Sequence, residues 1–238
     1  MVNTLVKTFA ILTMFAGHFA SAETFGERQL VQVLSDRPKM QGILDPSDPL
    51  YVWFVTQFDQ GVYGVRVHWD NREPIGGFPS TMLPPSENTP SLIRVSSSET
   101  ISGRDQWCLL AFELENLLNT PHFVELNAKA ISEEIEREAF LVENMKLEHL
   151  AVIRTQDRLK AHKAFSMPDR SSRFHGQFLE MSADFLVYRD FLARHQGPHY
   201  FDHFRQIFDQ LRRENKLIQP VLKKTLPGAP SDPPESRQ

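Results

Sequence analysis

Cysteine is nearly missing from this chain: Cys108 is the only one among 238 residues. An internal disulfide is therefore excluded, and the fold must be held by its core. No cysteine stands near the amino terminus, which excludes a lipid-modified cysteine behind a leader. Also missing are the Gly-x-Ser-x-Gly nucleophile elbow, the Gly-x-x-x-x-Gly-Lys phosphate cradle and the Gly-x-Gly-x-x-Gly dinucleotide turn, so nucleotide chemistry has no support. No run of apolar residues approaches the roughly 20 that a helix needs to cross a bilayer. Basic charge is not in excess either. Lysine and arginine number 26 against 30 acids, a balance of −4, and they are interleaved with acids along stretches such as 133–163. That is a solvated helix face rather than a concentrated phosphate-binding surface, and no nucleic-acid partner is expected.

What is present begins with an export pattern. Lys7 and the amino terminus give a positive start, Thr8 to Ala16 a short apolar run, and Ala20-Ser21-Ala22 the small residues of a cleavage site. Residues 1–22 are expected to be a cleavable signal peptide, with delivery to a periplasm or the extracellular space. Forty-one per cent hydrophobic residues, 18 of them phenylalanine, suffice for one core, so residues 23–225 are expected to form a single domain. The proline-rich polar stretch 226–238 is expected to be a disordered tail.

Along the chain, Thr24 and Glu27 have capping-box spacing before a short helix. Leu50 to Phe58 (LYVWFVTQF) and Val62 to Trp69 (VYGVRVHW) read as two strands of a hairpin, turning at Asp59-Gln60-Gly61. Residues 70–90, with Gly76-Gly77 and several prolines, read as a long irregular loop, a feature that usually carries a function. A third strand, Leu92 to Ser97, leads to Ser102 and Asp105, a second helix-capping pair. The helix that follows is mostly apolar from Trp107 to Asn119 and is expected to be central. Cys108 lies within it as a small buried hydrophobe. Pro121 opens a further helix, and long helical patterns cover 133–163, 175–194 and 198–216. Strands early and helices late predict an α+β fold, a small antiparallel sheet of about three strands packed against four to five helices.

The central helix also carries the first chemical signal, WCLLAFELENLLN from Trp107 to Asn119, placed after a strand and a capped turn. In that placing it resembles the active-site helix of zincin metallopeptidases, whose motif is His-Glu-x-x-His with a further acidic ligand on a later helix. The resemblance is local and covers the strand 92–97, this helix and Glu148. It implies Glu113 in the general-base place, Phe112 and Asn116 in the two histidine places, and Glu148 as a partner for the distant ligand. Both histidines are therefore replaced. A catalytic zinc takes about three nitrogen, sulfur or carboxylate donors, so the resemblance implies a degenerate scaffold that has lost or changed its catalysis. The plainer reading is a core helix whose acids are salt-bridged or solvent-facing.

A second signal is His195-x-x-x-His199-x-x-x-His203. Residues four apart share a helix face, so His199 and His203 could chelate one metal, with Asp202 or Asp190 as oxygen donor. The segment 199–203 is also similar to the inverted His-x-x-Glu-His motif of inverzincins, with aspartate in place of glutamate. The alternative places His195 at a helix C-terminus and leaves the other two as surface residues. Tyr51, Trp53 and Trp69, read as strand residues, are candidates for an aromatic platform that would take a peptide or saccharide. Asp59, Asp70 and Glu73 near it leave a glycosidase open. The resulting expectation is an exported binding or envelope-associated module without a cofactor; the alternative is a metal-dependent hydrolase, with zinc held by His199, His203 and a nearby acid.

Overall fold

The computed structural model of the protein describes residues 23–59, 65–70, 80–83, 91–167, 172–195 and 197–214. The expected signal peptide, the tail 226–238, the turn at Gln60-Gly61, Glu73 and most of the expected loop 70–90 lie outside the described residues. The fold is α+β, with eight helices and one three-stranded sheet among those residues.

Helix α1 (Phe25–Leu34) starts where the capping pair predicts. The Thr24 hydroxyl accepts the Glu27 N–H at 3.1 Å and the Glu27 carboxylate accepts the Thr24 N–H at 2.7 Å, satisfying two of the donors that a helix start leaves open. Helix α2 (Pro49–Asp59) corrects the strand expected at 50–58 and removes the hairpin. Its buried residues, Leu50, Phe54 and Phe58, recur every four positions and form one helical face. That period was hidden because four of the six residues between them, Tyr51, Val52, Trp53 and Val55, are also apolar or aromatic. Pro49 suits a first helical turn. The two helices meet at Gly26, where an added Cβ would sit 2.2 Å from the Val55 carbonyl oxygen, and the Gly26 N–H donates to the Asp59 carboxylate at 2.8 Å. Gly26→Ala is expected to lower unfolding free energy by about 2 kcal/mol through overpacking, read from urea denaturation.

With α2 helical, the next strand must find another partner. Strand β1 (Val65–Asp70) pairs in parallel with β3 (Ser91–Ser96), Val67 beside Ile93. Strand β2 (Ser80–Leu83) pairs antiparallel on the other side of β3, Met82 beside Ile93, giving the order β1-β3-β2. The sheet has the expected three strands but is mixed rather than antiparallel, and β2 falls in the segment read as irregular loop. Side chains alternate along β1: Arg66 and His68 are exposed while Val67 and Trp69 are partly buried.

Helix α3 (Gly103–Leu118) is capped by Ser102 and Asp105 as the spacing predicts and is buried on nearly every side. It packs against β3, β2, α5 and α6. Asp105 does more than cap: its second oxygen accepts the N–H groups of Phe174 and His175 at 2.8 and 2.9 Å. Helix α4 (Thr120–Ile131) carries Pro121 in its first turn and ends shortly before Glu133, whose φ of 66° is left-handed, so the long helix α5 (Arg137–Ala161) starts later than its charge pattern suggests. The helix expected at 175–194 is two, α6 (Arg173–Glu180) and α7 (Phe185–His195). The break is held from α5, where the Gln156 amide donates to the carbonyls of Phe178, Leu179 and Met181, capping the end of α6. Helix α8 (Pro198–Glu214) packs on α4, α5 and α7. No helix among the described residues is long and apolar enough to cross a membrane.

Candidate functional site

Glu113 points from the middle of α3 into the interior and is 3% exposed. Strand β2 supplies its partner: the Ser80 hydroxyl donates to Glu113 Oε1 at 2.6 Å. Asn116, one helical turn on, also bonds it. Glu148, on α5, is near enough for its charge to act on Glu113, so the two acids singled out from sequence face one region of the core. Glu148 accepts a hydrogen bond from the Tyr200 hydroxyl of α8, and Tyr200 is linked to Tyr188 of α7. Five elements thus converge on two carboxyl groups.

Burial sets the chemistry of this cluster. Desolvation pushes Glu113 up to about 8, against the hydrogen bond from Ser80 and with help from the charge of Glu148. Desolvation likewise lifts Glu148 to about 7, against the Tyr200 hydroxyl. Glu148 keeps some accessible surface, yet protein atoms surround its carboxyl closely enough for that penalty to dominate. Burial also pushes Tyr188 and Tyr200 above the usual phenol range. Both carboxyls therefore favour the protonated form more than an exposed acid does. Such a pair can share a proton or hydrogen-bond a neutral polar group. Two surface grooves among the described residues, one along α4 and α5 and one beside Asp48 and His162, are not lined by either acid.

The positions beside Glu113 do not suit zinc. Phe112 has no donor atom, and its ring packs against Phe178 with centroids 5.5 Å apart. Asn116 is 5% exposed, and its Oδ1 has no hydrogen-bond partner among the described residues. A neutral amide oxygen and a phenyl ring do not make the donor set of a catalytic zinc.

Of the histidine series, the side chains of His195 and His203 are among the described residues. His195 ends α7 exposed, its Nδ1 at 2.9 Å from the Phe191 carbonyl and its ring stacked on Phe191. His203 is on α8, and desolvation lowers its pKa. Asp202 is paired with Arg205 at 3.2 Å, and Arg205 also holds Glu138. The backbone of His199 is in α8; its side chain lies outside the described residues. Asp190 is exposed and 3.9 Å from Arg189. No three His, Cys, Asp or Glu side chains converge on one point among the described residues.

The aromatic platform is corrected by the helical state of α2. Residues two apart share a face in a strand but lie about 200° apart around a helix, so Tyr51 and Trp53 do not line one surface. Trp53 instead lies under the Arg158 guanidinium, 4.1 Å away. Trp69 donates from Nε1 to the Val33 carbonyl at 3.1 Å and carries Arg37 over its ring, which joins β1 to α1. Asp59 accepts from Gly26, a structural contact. Cys108 is fully buried, and burial raises its thiol well above the ordinary range, as expected of a packed hydrophobe.

Ser80, Tyr188 and Tyr200 were not foreseen. Ser80 is the first residue of a strand concealed in an apparent loop, and Tyr200 lies between His199 and His203 in a segment whose histidine spacing dominates its pattern. A signal was available: Tyr200 and Phe204 are four apart on the apolar face of an otherwise charged helix. Comparison with protein-family models, with curated proteins and with solved structures finds no match for the chain.

Proposed function

We propose that the chain is an exported, non-catalytic binding or envelope-associated module on a degenerate zincin-like scaffold. The observation that carries this reading is the state of α3. Glu113 stands in the general-base place, yet its carboxyl is buried, bonded by Ser80 and raised to about 8. An acid protonated at neutral pH cannot take a proton from water. Phe112 fills the neighbouring ligand place with a packed ring, and Glu148, in the distant-ligand place, accepts a hydrogen bond from Tyr200. The hydrogen bond from Ser80 and the packed ring of Phe112 support a reading in which this region is closed. Binding by the module then falls to its surface.

Restoring donors tests the scaffold directly. Phe112→His combined with Asn116→His is expected to bind one zinc per chain, by elemental analysis after dialysis, and to lose it when Glu148→Gln is added. The unaltered chain, offered zinc in the same way, is expected to retain none. Stoichiometric zinc in the unaltered chain, lost in His199→Ala with His203→Ala, would replace this reading with the metal-dependent hydrolase. A correctly folded double-histidine variant that takes up no zinc would remove the zincin-like scaffold from the account.

A further inference from the structure

We propose that Glu113, Glu148 and Asn116 hold a structural divalent cation of the hard, oxygen-seeking class, a calcium ion, in the interior between β2, α3 and α5. The other buried acids among the described residues are Glu115 and Asp105, and both have their charge met by donors. Glu115 is held by Arg158 at 2.5 Å, while Asp105 accepts the Ser102 hydroxyl at 2.8 Å and the N–H groups of Phe174 and His175. Glu113 and Glu148 differ. Among the described residues the side chains that bear on Glu113 are Ser80, Glu148 and Asn116, and the one that bears on Glu148 is Tyr200, so no basic group balances these two carboxyls. Buried charge is either paired or coordinates a metal.

Asn116 points to an ion rather than to a shared proton alone. It lies three positions after Glu113 on α3, so both side chains leave one helix face, and it interacts with the Glu113 carboxyl. Asn116 is 5% exposed, yet its Oδ1 has no hydrogen-bond partner among the described residues. A buried amide oxygen left without a donor is costly, and a cation beside it removes that cost. The Ser80 hydroxyl, 2.6 Å from Glu113 Oε1, brings a further oxygen. Two carboxylates, an amide oxygen and a hydroxyl are the donor types of calcium, which takes about 6–8 oxygens in flexible geometry. Zinc prefers nitrogen and sulfur, and magnesium keeps several of its waters. Tyr200, bonded to Glu148, orients that carboxylate. Ser80 and Glu148 keep some accessible surface, which gives the ion an entry path. The ion displaces the protons that burial otherwise keeps on the two acids.

Isothermal titration calorimetry of the full chain, freed of metal with EGTA and held at about pH 8, tests this with calcium chloride. One calcium per chain is expected, with a dissociation constant below about 1 mM. Glu113→Gln and Glu148→Gln are each expected to weaken it at least about 100-fold, and Asn116→Leu, which keeps the bulk but not the oxygen, about tenfold. Both glutamine variants keep the shape of the side chain, and a cooperative thermal transition in each shows that lost binding is not lost folding. Calcium is expected to raise that transition in the unaltered chain and to leave it in place in Glu113→Gln. Calcium binding and the zincin-like scaffold fail separately, since zinc uptake by the double-histidine variant tests only the latter. No heat up to about 10 mM calcium, or binding undiminished in either glutamine variant, overturns the proposal: Asn116 then accepts the Glu113 proton, or the ion lies on the acidic outer surface.

Discussion

Raising the pH from about 5 to about 9 is expected to lower the unfolding free energy of this protein by several kcal/mol, because Glu113 and Glu148 hold protons in the folded state that they release on unfolding. Their folded pKa values are about 8 and about 7 against an ordinary 4.5. Both are raised, so their contribution is fully present below about 4.5 and is lost as pH rises through 7 and 8. Each linked proton gives a slope of about 1.4 kcal/mol per pH unit within that window. Urea denaturation at several pH values measures it. Glu113→Gln keeps the shape of the side chain and an oxygen for the Ser80 hydroxyl but cannot ionise. Its stability is expected to depend less on pH, and at about pH 9 the variant is expected to exceed the parent by about 2 kcal/mol or more. A parent whose stability rises across this window, or a variant with the same slope, would show that Glu113 is ionised in the fold.

Arg158→Ala is expected to cost about 3 kcal/mol, although Arg158 is itself about one-third exposed. Glu115 has no exposed surface, and Arg158 Nε donates to its Oε1 at 2.5 Å. Removing one partner of a buried pair strands the other charge, a loss of about 3–5 kcal/mol. The lower end applies because solvent screens the exposed side of Arg158 and because Arg154 remains 4.0 Å from Oε2. Replacing both partners, Glu115→Leu with Arg158→Met, is expected to recover most of the loss, since no charge is then buried. A double variant no more stable than Arg158→Ala would mean that the guanidinium acts chiefly by covering Trp53. Glu115 thereby differs from Glu113 two positions earlier: one acid in α3 is neutralised by an arginine, the other by a proton.

Local rules of the chain were enough to locate several elements. Thr24 with Glu27 and Ser102 with Asp105 are short-range hydrogen-bonding patterns, and both helices start on them because capping is settled within one turn. Pro121 opened α4 for the same reason. The apolar density of Trp107 to Asn119 determined that α3 would be central, since so few faces of it can be left to water. The α+β class followed from where strands and helices fall along the chain.

Only the tertiary structure decided the rest. The run LYVWFVTQF satisfies both helical and strand periods, and the close approach at Gly26 together with the burial of Leu50, Phe54 and Phe58 selects the helix. Once α2 is helical, β1 lacks its expected partner and pairs with β3 in parallel, while β2 forms on the opposite edge of β3. The break between α6 and α7 comes from Gln156 on another helix. The same holds for the carboxyl cluster. Sequence singled out Glu113 and Glu148, but their protonation depends on desolvation and on Ser80, Tyr200 and Tyr188, residues distant in the chain. A carboxyl pKa is set by everything packed around it, and that surrounding exists only after α3, α5, α7, α8 and β2 have met.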